Sequence, residues 1–384
     1  TSVDFGMVVR TPMIEITTIG AGGGSIAWVD RGGMLQIGPE SAGSDPGPVC
    51  YSLGNDRPTV TDANVVLGRI NADKPIGGKI GGLDVDAAKT AISEHIAQPL
   101  DIEIMAAAEA IIQVTNARMA GAIRLVSVER GHDPEKFIAM PFGGGGALHA
   151  GALIKEVGLS KALVPRFPGV TSALGCVIAD MRFDRVHTLN NSLEDLDLDK
   201  LTSEMLETAG DGDNRLKEAK VSFESIVHFF ELDMLYVGQT HTVPVRLPID
   251  LDGVRKGFGR DIIQTAFEDS YQRSFGRLLD DISVRVLNLR VTVIGRRPKF
   301  NLSILGPSFS GSLEDAKSET RQVWINGQWW DADVYRRLDV PESATVPGPA
   351  LLEQPDATIF IEPDLEALVD NFGNLVISRK NTKQ

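Results

Sequence analysis

Residues 137–158 read Phe-Ile-Ala-Met-Pro-Phe-Gly-Gly-Gly-Gly-Ala-Leu-His-Ala-Gly-Ala-Leu-Ile-Lys-Glu-Val-Gly. The apolar run before the glycines predicts a strand, and the segment after them predicts a helix that contains His149 and ends at Gly158. A strand at residues 162–164 completes a strand–helix–strand unit, which is typical of an α/β layer. Because glycine has no Cβ, this loop suits the close approach of phosphate oxygens to backbone amides.

A second glycine cluster lies much earlier in the chain. Residues 13–19 are β-prone and lead into Gly20-Ala-Gly-Gly-Gly-Ser25, and apolar runs at 26–29 and 34–37 then predict a hairpin. Neither cluster has the Lys-Ser or Lys-Thr of a Walker loop. Each cluster alone is equally well interpreted as a tight turn. Together they favour a split phosphate-binding site, and the predicted ligand-binding residues are Gly20, Gly22, Gly23, Gly24, Ser25, Gly143, Gly144, Gly145 and Gly146.

Three polar residues are candidate magnesium contacts. Asp4 follows Thr1-Ser-Val, and both Asp62 and Asn64 lie in Thr59-Val-Thr-Asp-Ala-Asn64. A helix cap is an equally good interpretation of Asp62. His149 is the best placed histidine, since it follows the second glycine cluster. The candidate catalytic residues are therefore Asp4, Asp62 and His149, and the candidate metal ligands are Asp4, Asp62 and Asn64.

Composition restricts the class of protein. The 384 residues predict two or three domains, and the net charge of −14 argues against a nucleic-acid partner. No apolar run approaches the roughly 18 residues of a membrane span, so no membrane partner is expected. Two cysteines and no hydrophobic leader favour a cytoplasmic location. Cys176 lies in an apolar run and is expected to be buried, not a nucleophile.

The predicted pattern of helices and strands changes near residue 193. Before it, helices are predicted from Asp84 and over 103–130; after it, helices at 196–219 and 260–275 accompany strands at 226–237, 241–247 and 284–293. Short strands separated by turns follow residue 322. We therefore predict one domain over residues 1–192 and a β-rich domain over residues 193–384.

Collinear motifs along nearly the whole chain resemble the hydantoinase A/5-oxoprolinase family. This family includes N-methylhydantoinase, 5-oxoprolinase and the ATP-binding subunits of acetone and acetophenone carboxylases. The matching motifs are Thr18-Ile-Gly-Ala-Gly-Gly-Gly-Ser-Ile-Ala27, Gly43-Ser-Asp-Pro-Gly-Pro48, Thr59-Val-Thr-Asp-Ala-Asn64, Ser127-Val-Glu-Arg-Gly-His-Asp-Pro134, Phe142-Gly-Gly-Gly-Gly-Ala-Leu-His149, Pro168-Gly-Val-Thr-Ser-Ala-Leu-Gly175, Tyr236-Val-Gly-Gln239, Asn288-Leu-Arg290 and Gly348-Pro-Ala-Leu-Leu-Glu353.

The resemblance implies an α/β fold, an actin-like (ASKHA) ATPase subdomain followed by a β-rich C-terminal domain. It also implies ATP, Mg²⁺ or Mn²⁺, a small-molecule substrate and a hydantoinase B-type partner subunit. The implied reaction is ATP-dependent hydrolysis of a cyclic amide, such as a hydantoin, N-methylhydantoin, oxoproline or a lactam, through a phosphorylated intermediate. An ATP-dependent carboxylase subunit and a non-catalytic assembly fragment are the alternatives.

The chain departs from the family pattern in two places. The first phosphate loop of full-length relatives is absent, and Thr1-Ser-Val-Asp4 resembles the end of their second one. The resemblance therefore implies an N-terminal ATPase half that is missing from this chain. Leu235 stands where relatives often have Arg, so any role of that Arg is in doubt here.

Overall fold

The computed structural model describes residues 16–77, 81–306 and 311–380, together with the backbone of two paired strands, Ser2–Asp4 and Met7–Val9. The chain forms two compact units. We call residues 1–15 with 176–300 the first unit, and residues 16–175 with 301–384 the second unit. The β-prone segment 13–19 lies partly outside the described residues, and residues 16–19 have no regular structure.

The second unit contains two larger sheets and a hairpin. The hairpin pairs Ser25–Val29 with Leu35–Ser41, as the sequence predicts. In spatial order, one sheet consists of Thr345–Pro347, Leu365–Val369, Leu375–Arg379, Lys161–Val164 and Ile138–Ala139, and the other of Lys317–Ile325, Gln328–Arg336, Ala350–Gln354 and Ala357–Ile361. The described helices of this unit are Val60–Val66, Val85–Ile92, Gln98–Leu100, Ile104–Val126, Ala150–Val157 and Leu313–Ala316.

The predicted strand–helix–strand unit is present around the second glycine cluster. Ile138–Ala139 and Lys161–Val164 pair in parallel, and the helix Ala150–Val157 connects them. The helix ends at Gly158, whose φ of +81° is favourable only for glycine among ordinary residues. This arrangement confirms a mixed α/β fold.

Two further helices begin and end as their sequences predict. Asp84 caps Val85–Ile92, because its carboxylate accepts the N–H of Ala87 at 2.9 Å. The long helix Ile104–Val126 is followed by a 3-10 turn, Val128–Arg130, and by Gly131 at a φ of +78°. Two alanines of the long helix, Ala107 and Ala108, are buried in one core with the hairpin and with Val85–Ile92.

The first unit is an antiparallel sheet with helices packed on it. The spatial order of the strands is Met181–Ser192, Val284–Arg296, Ser225–Tyr236 and Val243–Arg246. The helices are Leu198–Glu218, Leu251–Lys256 and Arg260–Phe275. Alternate residues of Val284–Arg296, among them Leu289 and Val291, are buried in the core with Phe267, as the alternation in the sequence predicts.

The boundary between the two units lies within the helix Thr171–Ile178, between residues 175 and 176. Cys176 lies on this helix and is exposed, so the expectation that it is buried was wrong. The periodicity of an apolar run does not tell whether another element covers it. None of the described helices is both long and apolar enough to cross a membrane.

The five-stranded sheet joins distant parts of the sequence. Residues 162–164 pair with residues 375–377, so segments from both sides of residue 192 share one core. The division into residues 1–192 and 193–384 stays a prediction about sequence modules. The two compact units are instead defined by which residues pack together, and they do not divide the chain at residue 192.

Candidate functional site

One cavity in the second unit brings the two glycine clusters together. We call it the glycine cavity; its volume is about 360 Å³. Gly22 and Gly23 line it from the first cluster, and residues 143–146 line it from the second. Its apolar wall includes Ile70, Leu83 and Met119. A cavity of this size with an apolar wall and a few polar groups is typical of a small-molecule site.

The second cluster presents backbone amides that have no protein acceptor. Gly143, at a φ of +82°, donates its N–H to the carbonyl oxygen of Pro168 at 2.7 Å. Within the described part of the chain, the amides of Gly144 and Gly145 have no hydrogen-bond acceptor. A 3-10 turn and the helix Ala150–Val157 follow directly. These amides therefore suit an anionic group, since helix starts also carry partial positive charge.

The first cluster forms a closed loop held by Ser25. The Ser25 hydroxyl accepts the N–H of Gly22 at 2.9 Å and donates to the carbonyl oxygen of Gly20 at 3.1 Å. The carbonyl oxygen of Gly23 accepts the N–H of Thr61 at 2.9 Å. A Cβ on Gly23 would lie 2.8 Å from Thr61 Oγ1, so only glycine allows this approach.

Not every predicted residue of the first cluster reaches the cavity. Gly22 and Gly23 line the glycine cavity, whereas Gly20, Gly24 and Ser25 do not. Gly24 lies beside the hairpin, where a Cβ would come within 2.9 Å of Ser41 Oγ. These three residues shape the loop that presents the other two.

His149 lies in the wall of the glycine cavity and is 6% exposed. Its Nδ1 lies 2.6 Å from Oδ1 of Asn116. Burial, and secondarily the nearby positive charge of Arg69, lower the pKa of His149 from its ordinary 6.5 to about 4. The imidazole is therefore neutral at pH 7. An amide oxygen only accepts, so Nδ1 carries the proton and Nε2 holds a lone pair.

Asp62 lies inside the helix Val60–Val66 as its third residue, and the N-cap is Thr59, so the interpretation of Asp62 itself as the cap residue was wrong. Asp62 is fully buried, and its carboxylate accepts the backbone N–H groups of Val49, Cys50 and Thr59 at 2.8–3.1 Å. It also accepts the Thr59 hydroxyl at 2.7 Å, which completes a capping box at Val60–Val66. Both carboxylate oxygens are occupied by donors, so its surroundings give no support to a metal-binding or catalytic role.

Of the two metal candidates whose side chains the structure describes, Asn64 lines the glycine cavity and Asp62 does not. The Nδ2 of Asn64 donates to the carbonyl oxygen of Val60 at 3.0 Å, and its buried Oδ1 has no partner among the described residues. Asp4 ends the strand Ser2–Asp4, and its side chain lies outside the described part of the structure.

The described residues fit the nucleotide of a metal–nucleotide complex but not its metal ion. Free amides at Gly144 and Gly145 suit phosphate oxygens, and the apolar wall suits a base. Across residues 16–77, 81–306 and 311–380, no group of three or more His, Cys, Asp or Glu side chains is arranged to hold a metal ion. Mg²⁺ and Mn²⁺ prefer carboxylate oxygens, which this cavity does not supply.

Sequence reasoning missed two residues that act on His149. Asn116 is a buried amide within the alanine-rich helix Ile104–Val126, and Arg69 follows Leu67-Gly68. An amide on an otherwise apolar helix face is a signal that could have identified Asn116. The position of Arg69 depends on tertiary packing and leaves no local signal.

Two family models match the chain. Hydantoinase/oxoprolinase matches residues 1–185, and the hydantoinase/oxoprolinase C-terminal domain matches residues 191–378. Among curated proteins, the alpha subunit of a caprolactamase from Pseudomonas jessenii is 33% identical over 368 residues, which are 94% of this chain and 52% of that protein. The acetophenone carboxylase gamma subunit of Aromatoleum aromaticum is 33% identical over 394 residues, which cover 96% and 51%.

Two solved structures are similar to this chain. The crystal structure of an ATP-dependent caprolactamase from Pseudomonas jessenii has a TM-score of 0.74 at 31% identity and covers 96% of this chain and 54% of its own. A nucleotide-free acetone carboxylase has a TM-score of 0.78 at 23% identity, with 94% and 52% covered, which shows the fold alone. The chain spans about half the length of the two curated relatives, the caprolactamase and acetophenone carboxylase subunits.

Proposed function

The chain belongs to the hydantoinase/oxoprolinase family, and from this premise we propose that it is the nucleotide-binding part of an ATP-dependent enzyme that hydrolyses a cyclic amide. The observation that carries the proposal is the glycine cavity, where two clusters from distant parts of the chain meet. The Gly144 and Gly145 amides there have no acceptor among the described residues. The proposed architecture is an actin-like ATPase subdomain with a β-rich C-terminal domain.

The cavity offers a separate place for each part of a nucleotide. The apolar wall at Ile70, Leu83 and Met119 suits the base, and the amides of Gly144 and Gly145 suit phosphate oxygens. Neutral His149 presents Nε2 as an acceptor for a hydroxyl or water proton. Catalysis would then rest on positioning and on charge stabilisation.

The chemical need for ATP follows from the poor reactivity of an amide. Transfer of the γ-phosphoryl group to the amide oxygen makes the carbonyl carbon electrophilic and turns the oxygen into a leaving group. Water then adds to the carbon, and the C–N bond breaks to release the amine and leave an acyl phosphate. A second water hydrolyses the acyl phosphate to a carboxylate and inorganic phosphate. The divalent cation of such a reaction would need carboxylates from elsewhere, since no Asp or Glu is among the described residues that line the glycine cavity.

The proposed partners complete this site. The chain spans about half the length of the two curated relatives, and both are named as subunits. We therefore propose that an N-terminal ATPase half and a hydantoinase B-type subunit act together with this chain. The small-molecule substrate would be a hydantoin, oxoproline or lactam.

Calorimetry and phosphate release test the proposal in two steps. ATP is titrated into the chain, and measurable affinity is expected because the cavity is present. Phosphate release is then measured with the N-terminal half, the B-type subunit and a panel of cyclic amides. ATP hydrolysis that no cyclic amide stimulates would refute the amidohydrolase proposal. A chain without any ATP affinity would instead favour a non-catalytic assembly role.

An ATP-dependent carboxylase subunit is the second candidate. The acetophenone carboxylase subunit is as similar in identity, at 33%, as the caprolactamase subunit. The same cavity would serve either reaction, because both begin with phosphoryl transfer to an oxygen. Ketone consumption that requires bicarbonate, measured in the complete assembly, would favour this candidate over a lactamase.

A further inference from the structure

A second cavity in the same unit contains a buried arginine. Its volume is about 480 Å³, and Arg69, Ile112, Leu148 and Phe360 are among the residues that line it. We call it the arginine cavity. Asn116, the partner of His149, also lines it, and Leu148 lines both cavities. The two cavities are therefore close neighbours with distinct polar groups.

Among the described residues, the guanidinium of Arg69 has no anionic hydrogen-bond partner. The residue is 7% exposed, and its Nε is buried without a hydrogen bond to any described residue. Within the described ranges no carboxylate oxygen lies within 4.0 Å of its nitrogens, so it forms no salt bridge. Its contact with a side chain is a stacking one, with Cζ 4.9 Å from the centroid of the Phe360 ring.

Three acidic residues line the cavity, Glu109, Glu156 and Glu362. Glu156 is not among the charges that act on Arg69, and the other two are already bonded to other donors. The carboxylate of Glu109 accepts the Trp324 indole N–H and the backbone N–H groups of Asn326 and Gly327, at 2.6–3.3 Å. Glu362 forms a salt bridge with Lys155. Both carboxylates attract Arg69 from beyond contact distance, and neither satisfies its N–H groups.

A buried cation without a hydrogen-bonded counter-charge is unfavourable, because burial removes its hydration. A planar guanidinium matches two oxygens of a carboxylate or phosphate. We propose that the arginine cavity binds a small oxyanion, a carboxylate or phosphate, through Arg69, with its apolar part against Ile112 and Phe360. This site is separate from the glycine cavity and does not depend on the proposed reaction.

Thermal unfolding of the chain tests the site with two probes at constant ionic strength, inorganic phosphate and 6-aminohexanoate, with chloride as reference. At about ten times its Kd, the bound anion should raise the melting temperature by about 2 °C. Arg69→Met keeps an unbranched, flexible side chain but removes the guanidinium and its charge, so it should abolish this rise. No rise with either probe, or an equal rise in Arg69→Met, would overturn the proposal.

Two further variants separate this site from the glycine cavity. Ala152 lines the arginine cavity and not the glycine cavity, so Ala152→Met should block the anion while Arg69 remains. Gly144→Val should leave the anion effect intact. An anion effect that Gly144→Val abolishes and Ala152→Met leaves intact would assign the anion to the glycine cavity and overturn the proposal. ATP titration of Arg69→Met reports separately on the proposed function, since that variant should still bind ATP.

The pKa of His149, followed by its imidazole NMR resonances, provides an independent measurement. It would not respond to the anion if Arg69 had only a structural role. The positive charge of Arg69 contributes to the lowered pKa of His149. An oxyanion bound to Arg69 should therefore raise the pKa of His149, as measured by NMR titration. The pKa should not respond to the probes in Ala152→Met. An unchanged pKa in the wild-type chain at saturating anion would count against the site.

Discussion

The Nδ1 atom of His149 lies 2.6 Å from the amide oxygen of Asn116, and both side chains are buried. The contact joins the helix Ile104–Val126 to the residue that precedes the helix Ala150–Val157. It holds the imidazole in the tautomer that leaves Nε2 as an acceptor. The pair thus determines which nitrogen of His149 is available in the glycine cavity.

The low pKa of His149 predicts a loss of stability in acid. In the unfolded chain the imidazole binds a proton near pH 6.5, whereas the folded chain resists protonation down to about pH 4. The unfolded state therefore binds more protons in this window, and stability falls as pH decreases from 6.5 to 4, by roughly 3 kcal/mol in total. Urea unfolding should show a flatter pH dependence in His149→Gln. Parallel pH profiles for the two proteins would contradict the buried neutral state.

A side chain at Gly144 should weaken ATP binding without unfolding the chain. A Cβ added at this position would lie 3.5 Å from the carbonyl oxygen of Asp356, an ordinary contact, so Gly144→Val meets no close clash. The valine would occupy space in the glycine cavity and weaken ATP binding by at least about tenfold, or 1.4 kcal/mol. Calorimetry measures the affinity. Gly121→Val is the matched control, since a Cβ there meets no atom within 4 Å and the position is outside the cavity.

Two helix-capping interactions should differ in their contribution to stability. Asp62→Ala leaves the buried N–H groups of Val49 and Cys50 without acceptors and should cost about 3 kcal/mol. Asp84→Ala removes an exposed cap and should cost about 1 kcal/mol. Chemical denaturation compares the two variants. Equal losses would show that the Asp62 contacts are not those of a buried capping box.

The ion pair between Arg290 and Asp233 should stabilise the first unit more than an exposed pair does. Arg290 contacts the buried carboxylate of Asp233 through two hydrogen bonds of 2.9 Å. Arg290→Met leaves that carboxylate without its counter-charge and should cost about 3–5 kcal/mol. The control is Arg182→Met, which breaks the more exposed pair with Asp184 and should cost at most about 1 kcal/mol. A similar loss in both variants, by urea unfolding, would argue against burial as the cause.

Much of the local structure could be predicted because short-range signals specify it. Asp84 marks the start of one helix and Gly158 the end of another, and alternation marks the strand Val284–Arg296. The site was predicted in part. Gly22, Gly23, residues 143–146 and His149 line the glycine cavity, whereas Asp62 belongs to a helix capping box in the core. An Asp in a helix capping box and an Asp that binds a metal cannot be distinguished by residue type in the sequence.

The sequence by itself determined the family and the mixed α/β class, since both follow from motifs and local conformational preference. It also indicated where glycine allows the backbone to approach its neighbours closely. Only the tertiary structure decided that the two glycine clusters line one cavity. It also decided that Asn116 orients His149 and that Arg69 is buried with no acidic hydrogen-bond partner among the residues that the structure describes. The physical reason is that packing brings together residues far apart in the chain, and no local pattern records which side chains then meet.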